Sequence, residues 1–133
     1  MNNKLLVALS EIGPQQTSST EYTNKVIHHI LDYCATYPDD GILYRSSDMI
    51  IAGHSDAGLN NETRAWSRAG AQIFFSENES TPCWNGTILT TVQIMKYVVS
   101  SASEAGMTAL FLTEEEMVPL CHTLNEMGWK QPP

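Results

Sequence analysis

The sequence predicts a mixed α/β domain in which helices cover, on at least one face, an antiparallel sheet of three to four strands. Three observations lead there. Apolar residues recur at helical spacing before residue 40 and again after residue 100. Between those stretches, β-branched and aromatic runs alternate with polar turns. At 133 residues, the chain is long enough for one hydrophobic core and too short for two.

In chain order, residues 3–11 read as a short helix, broken by Gly13 and Pro14 in "GPQQTSS". A second helix follows, with Ser19 or Thr20 as its cap. Val26, Ile27, Ile30, Leu31 and Cys34 recur at helical spacing until Pro38 ends it. After Gly41, "ILYR" and "MIIAGHSDA" read as a strand pair around the turn "SSD", and "AGAQIFFS" reads as the next strand. "ENESTPCWNGT" has turn chemistry throughout, and the β-branched residues of "ILTTVQIMKYVV" favour another strand. From Ser100 the period changes. "SSASEAGMTALFL" and "EEEMVPLCHTLNEMG" read as two helices, the second with acidic residues in its first turn and Gly128 at its end.

The net charge of −8, with seven Lys and Arg scattered along the chain, gives no basic footprint for phosphate binding, which disfavours an RNA/DNA hybrid as partner. The N-terminus has no signal-peptide pattern and no apolar run reaches membrane-spanning length, so no membrane association is expected and an intracellular location, cytoplasmic or nuclear, is. Cys34, Cys83 and Cys121 are odd in number and lack CxxC spacing, which argues against a disulfide scaffold or a zinc ribbon. Sequons begin at Asn61, Asn78 and Asn85, and without a secretory signal they read as chance in Asn- and Thr-rich loops.

Chemistry concentrates at the end of "MIIAGHSDA". Ile50, Ala52, His54 and Asp56 share one strand face, and Met49, Ile51, Gly53 and Ser55 the other. Asp56 is either the cap of the following turn or a metal ligand on a rigid element, and the residues alone favour the cap. His54 on the same face makes a His/Asp metal pair geometrically possible, but a histidine hydrogen-bonded within the sheet is the better expectation. His28 and His29 are neighbours on a helix and diverge. Cys121–His122 has no third partner, so Cys121 reads as a buried apolar residue. Glu114, Glu115 and Glu116 read as a solvated first turn. Trp66, Trp84 and Trp129 lack the basic surround that base stacking calls for, and read as core or loop anchors.

A wider pattern bears on Asp56. The stretch from "ALSEIGPQQTSSTEYTNKVIHH" through "ILYRSSDMIIAGHSDA", then "SRAGAQIFF", "VVSSASEAGMTALF" and "LNEMGWKQPP", resembles the end of the reverse transcriptase and the start of the ribonuclease H domain in copia-type LTR retrotransposon polyproteins. The resemblance covers nearly the whole chain. It implies a single ribonuclease H-like domain, with residues 1–40 as a helical extension from the reverse transcriptase connection and residues 41–133 as a shortened core. It also implies that Asp56 descends from the first catalytic carboxylate, at the end of the first strand.

Two departures from that family shape the functional expectation. Its helix acid is the second glutamate of an "EAE" pattern, which here reads Glu104-Ala105-Gly106. Glu104 lies roughly 200° around the axis from Gly106 and is expected to face solvent, away from a face carrying Ala102, Gly106, Ala109 and Leu110. The chain also stops where the family continues into the strand with its third acid. Two-metal hydrolysis needs several carboxylates around two cations ~3.5–4 Å apart, so no cofactor is expected, and Mg2+ only if residual nuclease activity exists. The expectation is a degenerate, inactive ribonuclease H-like remnant acting as a binding or self-association module. Its alternatives are an active hybrid-cleaving nuclease and a repurposed host protein or effector. With the third-acid strand missing, residues 49–56 become a sheet edge with little to protect it, which favours a homodimer.

Overall fold

The computed structural model describes residues 5–132. They fall into two compact units that divide between Ile42 and Leu43.

The first unit holds α1 (Leu6–Ile12), a 3-10 turn at Gly13–Gln15, and α2 (Glu21–Thr36). α2 starts at Thr20, in extended conformation, one of the two caps, Ser19 or Thr20, that the sequence allows. The Thr20 hydroxyl accepts from the Thr23 amide, and the Thr23 hydroxyl accepts from the Thr20 amide, so two otherwise orphaned donors are satisfied reciprocally. The Thr23 hydroxyl also donates to Gln15 Oε1, tying the cap to the preceding turn.

The second unit is a three-stranded antiparallel sheet, β1 (Ile50–Gly58), β2 (Ser67–Ser76) and β3 (Thr87–Met95), in the order β1-β2-β3, followed by α3 (Ala102–Glu126). β1 pairs Ile50 with Ser76 through Gly58 with Arg68, and β2 pairs Ser67 with Met95. The molecule is thus mixed α/β, with a three-stranded antiparallel sheet.

α3 lies on the face that carries the odd-numbered strand residues, where a Cβ on Gly53 would meet Met117 and Thr113. There Ala69, Met95, Val99, Ala105 and Ala109 form one end of the core, and Ile51, Ile73 and Leu124 the other. The opposite face holds buried Phe74, stacked under Trp84 at 5.3 Å between ring centroids. Trp84 belongs to the polar loop after β2. That loop is pinned at Ser76, whose hydroxyl accepts from the Cys83 amide and donates to the Cys83 carbonyl.

Three local expectations are corrected. Residues 42–45 form no strand, because the Asn85 side chain takes both backbone groups of Arg45, accepting from its N–H at 2.8 Å and donating to its carbonyl at 2.9 Å. The two C-terminal helices are one: the Thr113 hydroxyl bonds back to the Ala109 carbonyl instead of capping a new start, and Pro119 is accommodated inside the helix. The buried stripe of α3 runs through Ala105, Ala109, Thr113 and Leu124, while Ala102, Gly106 and Leu110 are exposed.

α3 ends as Gly128 predicts. Gly128 adopts φ +92°, its amide donates to Asn125, and the Trp129 amide donates to the Leu124 carbonyl at 2.8 Å. No helix among the described residues is long and apolar enough to cross a membrane.

Candidate functional site

The sheet has β1 at one edge. The Ile51 amide donates to Gln131 Oε1 at 2.9 Å, away from β2, so by antiparallel alternation residues 51, 53, 55 and 57 turn their backbone groups outward. The same Gln131 side chain donates from Nε2 to the Met49 carbonyl at 3.0 Å. One side-chain amide therefore stands in for a neighbouring strand at the start of β1. Gln131 is itself placed by the end of α3, since its amide donates to Asn125 Oδ1 at 2.9 Å.

Asp56 caps the other end. Its Oδ1 accepts from the outward amide of Ala57 at 2.8 Å, a contact within β1 and not the cap of the following turn that the residues alone favour. The unprotected edge expected from the sequence is thus closed at both ends, which leaves the outward groups of Gly53 and Ser55 between the caps.

Asp56 and His54 share a strand face, as expected, and both are exposed. Because Gly53 faces α3, Asp56, three residues on, projects from the opposite face of the sheet. Arg68, on that same face beside Gly70, the cross-strand partner of Asp56, is engaged by Glu62 in a partly buried ion pair. His54 is not enclosed within the sheet; its ring meets the Trp84 ring edge-on at 5.1 Å. Among the described residues, no three of His, Cys, Asp and Glu come together in a group able to hold a metal ion.

Gly106, where the resemblance places the helix acid, faces open space: a Cβ added there would meet no neighbour within 4 Å. Glu104 faces solvent, as expected, and has a structural task. Its Oε2 accepts from both the hydroxyl and the amide of Ser100, each at 2.7 Å, while its own amide donates to the Ser101 hydroxyl at 3.1 Å. The Ser100 hydroxyl, and then the Ser100 amide, hold the Glu104 carboxyl below the usual carboxylate range.

The remaining candidates disperse. Cys121 is half-buried against the Ile51–Ile73–Leu124 cluster, as an apolar residue would be. Glu114, Glu115 and Glu116 are exposed, in the middle of a helix and not at its first turn. Trp66 lies under the Arg64 guanidinium, 5.8 Å from the ring centre. Trp84 anchors its loop, and Trp129 closes the end of α3. Asn85, first residue of a sequon, spends its side chain on Arg45. Sequence reasoning missed Gln131, whose role carries no local signal because its partners lie about eighty residues away.

No known protein family, curated protein or solved structure matches the chain.

Proposed function

We propose that the chain is a degenerate, catalytically inactive ribonuclease H-like module of copia-type descent, retained as a binding or self-association unit. The observation that carries this reading is the state of Asp56: its carboxylate caps the edge of β1 by accepting from Ala57, on the sheet face away from α3. A helix acid at position 106 would not share that face, and the position is glycine in any case. An inherited carboxylate that has become a backbone cap supports a fold kept without its chemistry. The test is incubation of the purified chain with a labelled RNA/DNA hybrid and Mg2+, expected to give no cleavage above background. Magnesium-dependent cleavage that disappears in Asp56→Asn overturns the reading.

Self-association is favoured by the position of β1 at the sheet edge, with Gly53 and Ser55 between the two caps. In this reading two copies pair through β1 once the Gln131 side chain gives way. Light scattering is expected to show a larger dimer fraction for Gln131→Ala than for the parent chain. Adding Ser55→Pro should reverse that gain, since the Ser55 amide points outward and its loss breaks no bond to β2. A monomer in every variant at high concentration refutes it.

A further inference from the structure

α3 is apolar on two sides. Its inner stripe faces the sheet, whereas Met107, Leu110, Phe111 and Val118 are each more than half exposed on the other side. At about 100° per residue, all four fall within roughly 100° of arc, opposite the buried Ala105 and Ala109. An apolar row of this length on one helix is the footprint that an amphipathic partner helix reads at spacings of three, four, seven and eleven residues.

The charge beside the row identifies the chemistry of that partner. Glu104, Glu115 and Glu126 stand eleven residues apart, which is three turns and about 20°, so they form one acidic line along a flank of the apolar row. Glu114 lies within the row itself, and the 25-residue helix contains no Lys or Arg. A second copy is a poor occupant. It would bring Glu114 and the acidic line of one chain into the same interface as those of the other. An anionic membrane surface is disfavoured by the same charges.

We propose that the outer face of α3 is a docking surface for a basic amphipathic helix of a partner protein. The partner's apolar row covers Met107, Phe111 and Val118, and its Lys or Arg residues lie along Glu115 and Glu126. This surface lies on a different element from Asp56, and the proposal stands whether or not the chain cleaves hybrids.

The probe is a labelled 18-residue helical peptide of Leu and Lys, leucines on one face, followed by fluorescence anisotropy. It is expected to bind the parent chain saturably, one to one, and the same peptide with Glu in place of Lys is expected not to bind. The double variant Met107→Ser/Phe111→Ser should weaken binding by about tenfold or more, as loss of two buried apolar contacts requires. Glu115→Gln/Glu126→Gln should weaken it several-fold and flatten its salt dependence. Val98→Ser, which alters an exposed apolar residue outside α3, should leave it unchanged. All these positions are exposed, and circular dichroism confirms that each variant is folded before titration. Absence of binding overturns the proposal. So do binding indifferent to Met107→Ser/Phe111→Ser, equal loss in Val98→Ser, and dimerisation of the chain through α3 that excludes the peptide.

Discussion

α2 and α3 are held in place by different physics. α2 has no Gly or Pro in its sixteen residues, carries a reciprocal Thr20–Thr23 cap and an exposed Glu21–Lys25 ion pair four residues apart, and buries only Thr23. α3 contains Gly106 and Pro119, both poor helix formers, yet runs for twenty-five residues. What α3 has is the sheet: Ala105, Ala109, Thr113 and Leu124 are buried against it. Local chemistry specifies α2. Tertiary burial carries α3 through residues that would end an isolated helix.

The contrast can be broken most forcefully at Ile73, fully buried in the central strand and part of the cluster with Leu124. Ile73→Ala is expected to cost about 3–4 kcal/mol, read by urea denaturation with tryptophan fluorescence. Preserved stability would mean that the α3–sheet core is not what holds this unit.

Thr20→Ala should cost α2 about 1 kcal/mol. Hydrogen exchange should accelerate in the first turn of α2 and leave β2 untouched. Equal acceleration in β2 would make the two units one cooperative structure and erase the contrast.

Gly106→Ala acts with the opposite sign. A methyl group there meets nothing within 4 Å, so removing the entropy penalty of a helical glycine should stabilise α3 by up to about 1 kcal/mol and raise the melting temperature. A lower melting temperature would reveal a packing role for the glycine.

The smallest effect concerns Glu104, whose carboxyl is held below its ordinary value of 4.5 by the Ser100 hydroxyl and amide. A depressed folded-state value means that the contribution is present above the unfolded value and is lost as pH falls through the folded one. Thermal melts from neutral pH to about pH 3 should therefore show a steeper loss for the parent chain than for Glu104→Gln. Parallel curves would remove the cap from the account.

Much of this was legible in the sequence because it is local. β1, β2 and β3, the Thr20 cap, the Gly128 terminus, the shared face of His54 and Asp56, and the solvent-facing Glu104 all follow from periodicity and turn chemistry. What was not legible depends on distant partners. "ILYR" has strand composition, but the side chain of Asn85 takes the backbone bonds a strand would have needed at Arg45. The acidic triplet resembles a helix start, yet Thr113 faces the core and bonds backward. Met49 enters β1 at φ +61°, a conformation no composition rule assigns to methionine. At the site, Asp56 could be placed on its strand from sequence, whereas its commitment to the Ala57 amide needed coordinates.

The Gln131 clasp has a consequence for the timing of biosynthesis. Ile51 and its clasp are eighty residues apart, so a ribosome working at about 5–20 residues per second exposes β1 some 4–16 s before its cap is made. β2, only a hairpin away, arrives much sooner. A β1–β2 hairpin formed in that interval has its outer edge bare at Met49 and Ile51, open to pairing with neighbouring nascent chains on one message. Translation speed downstream of β2 thus governs how long the edge is available to the wrong strand.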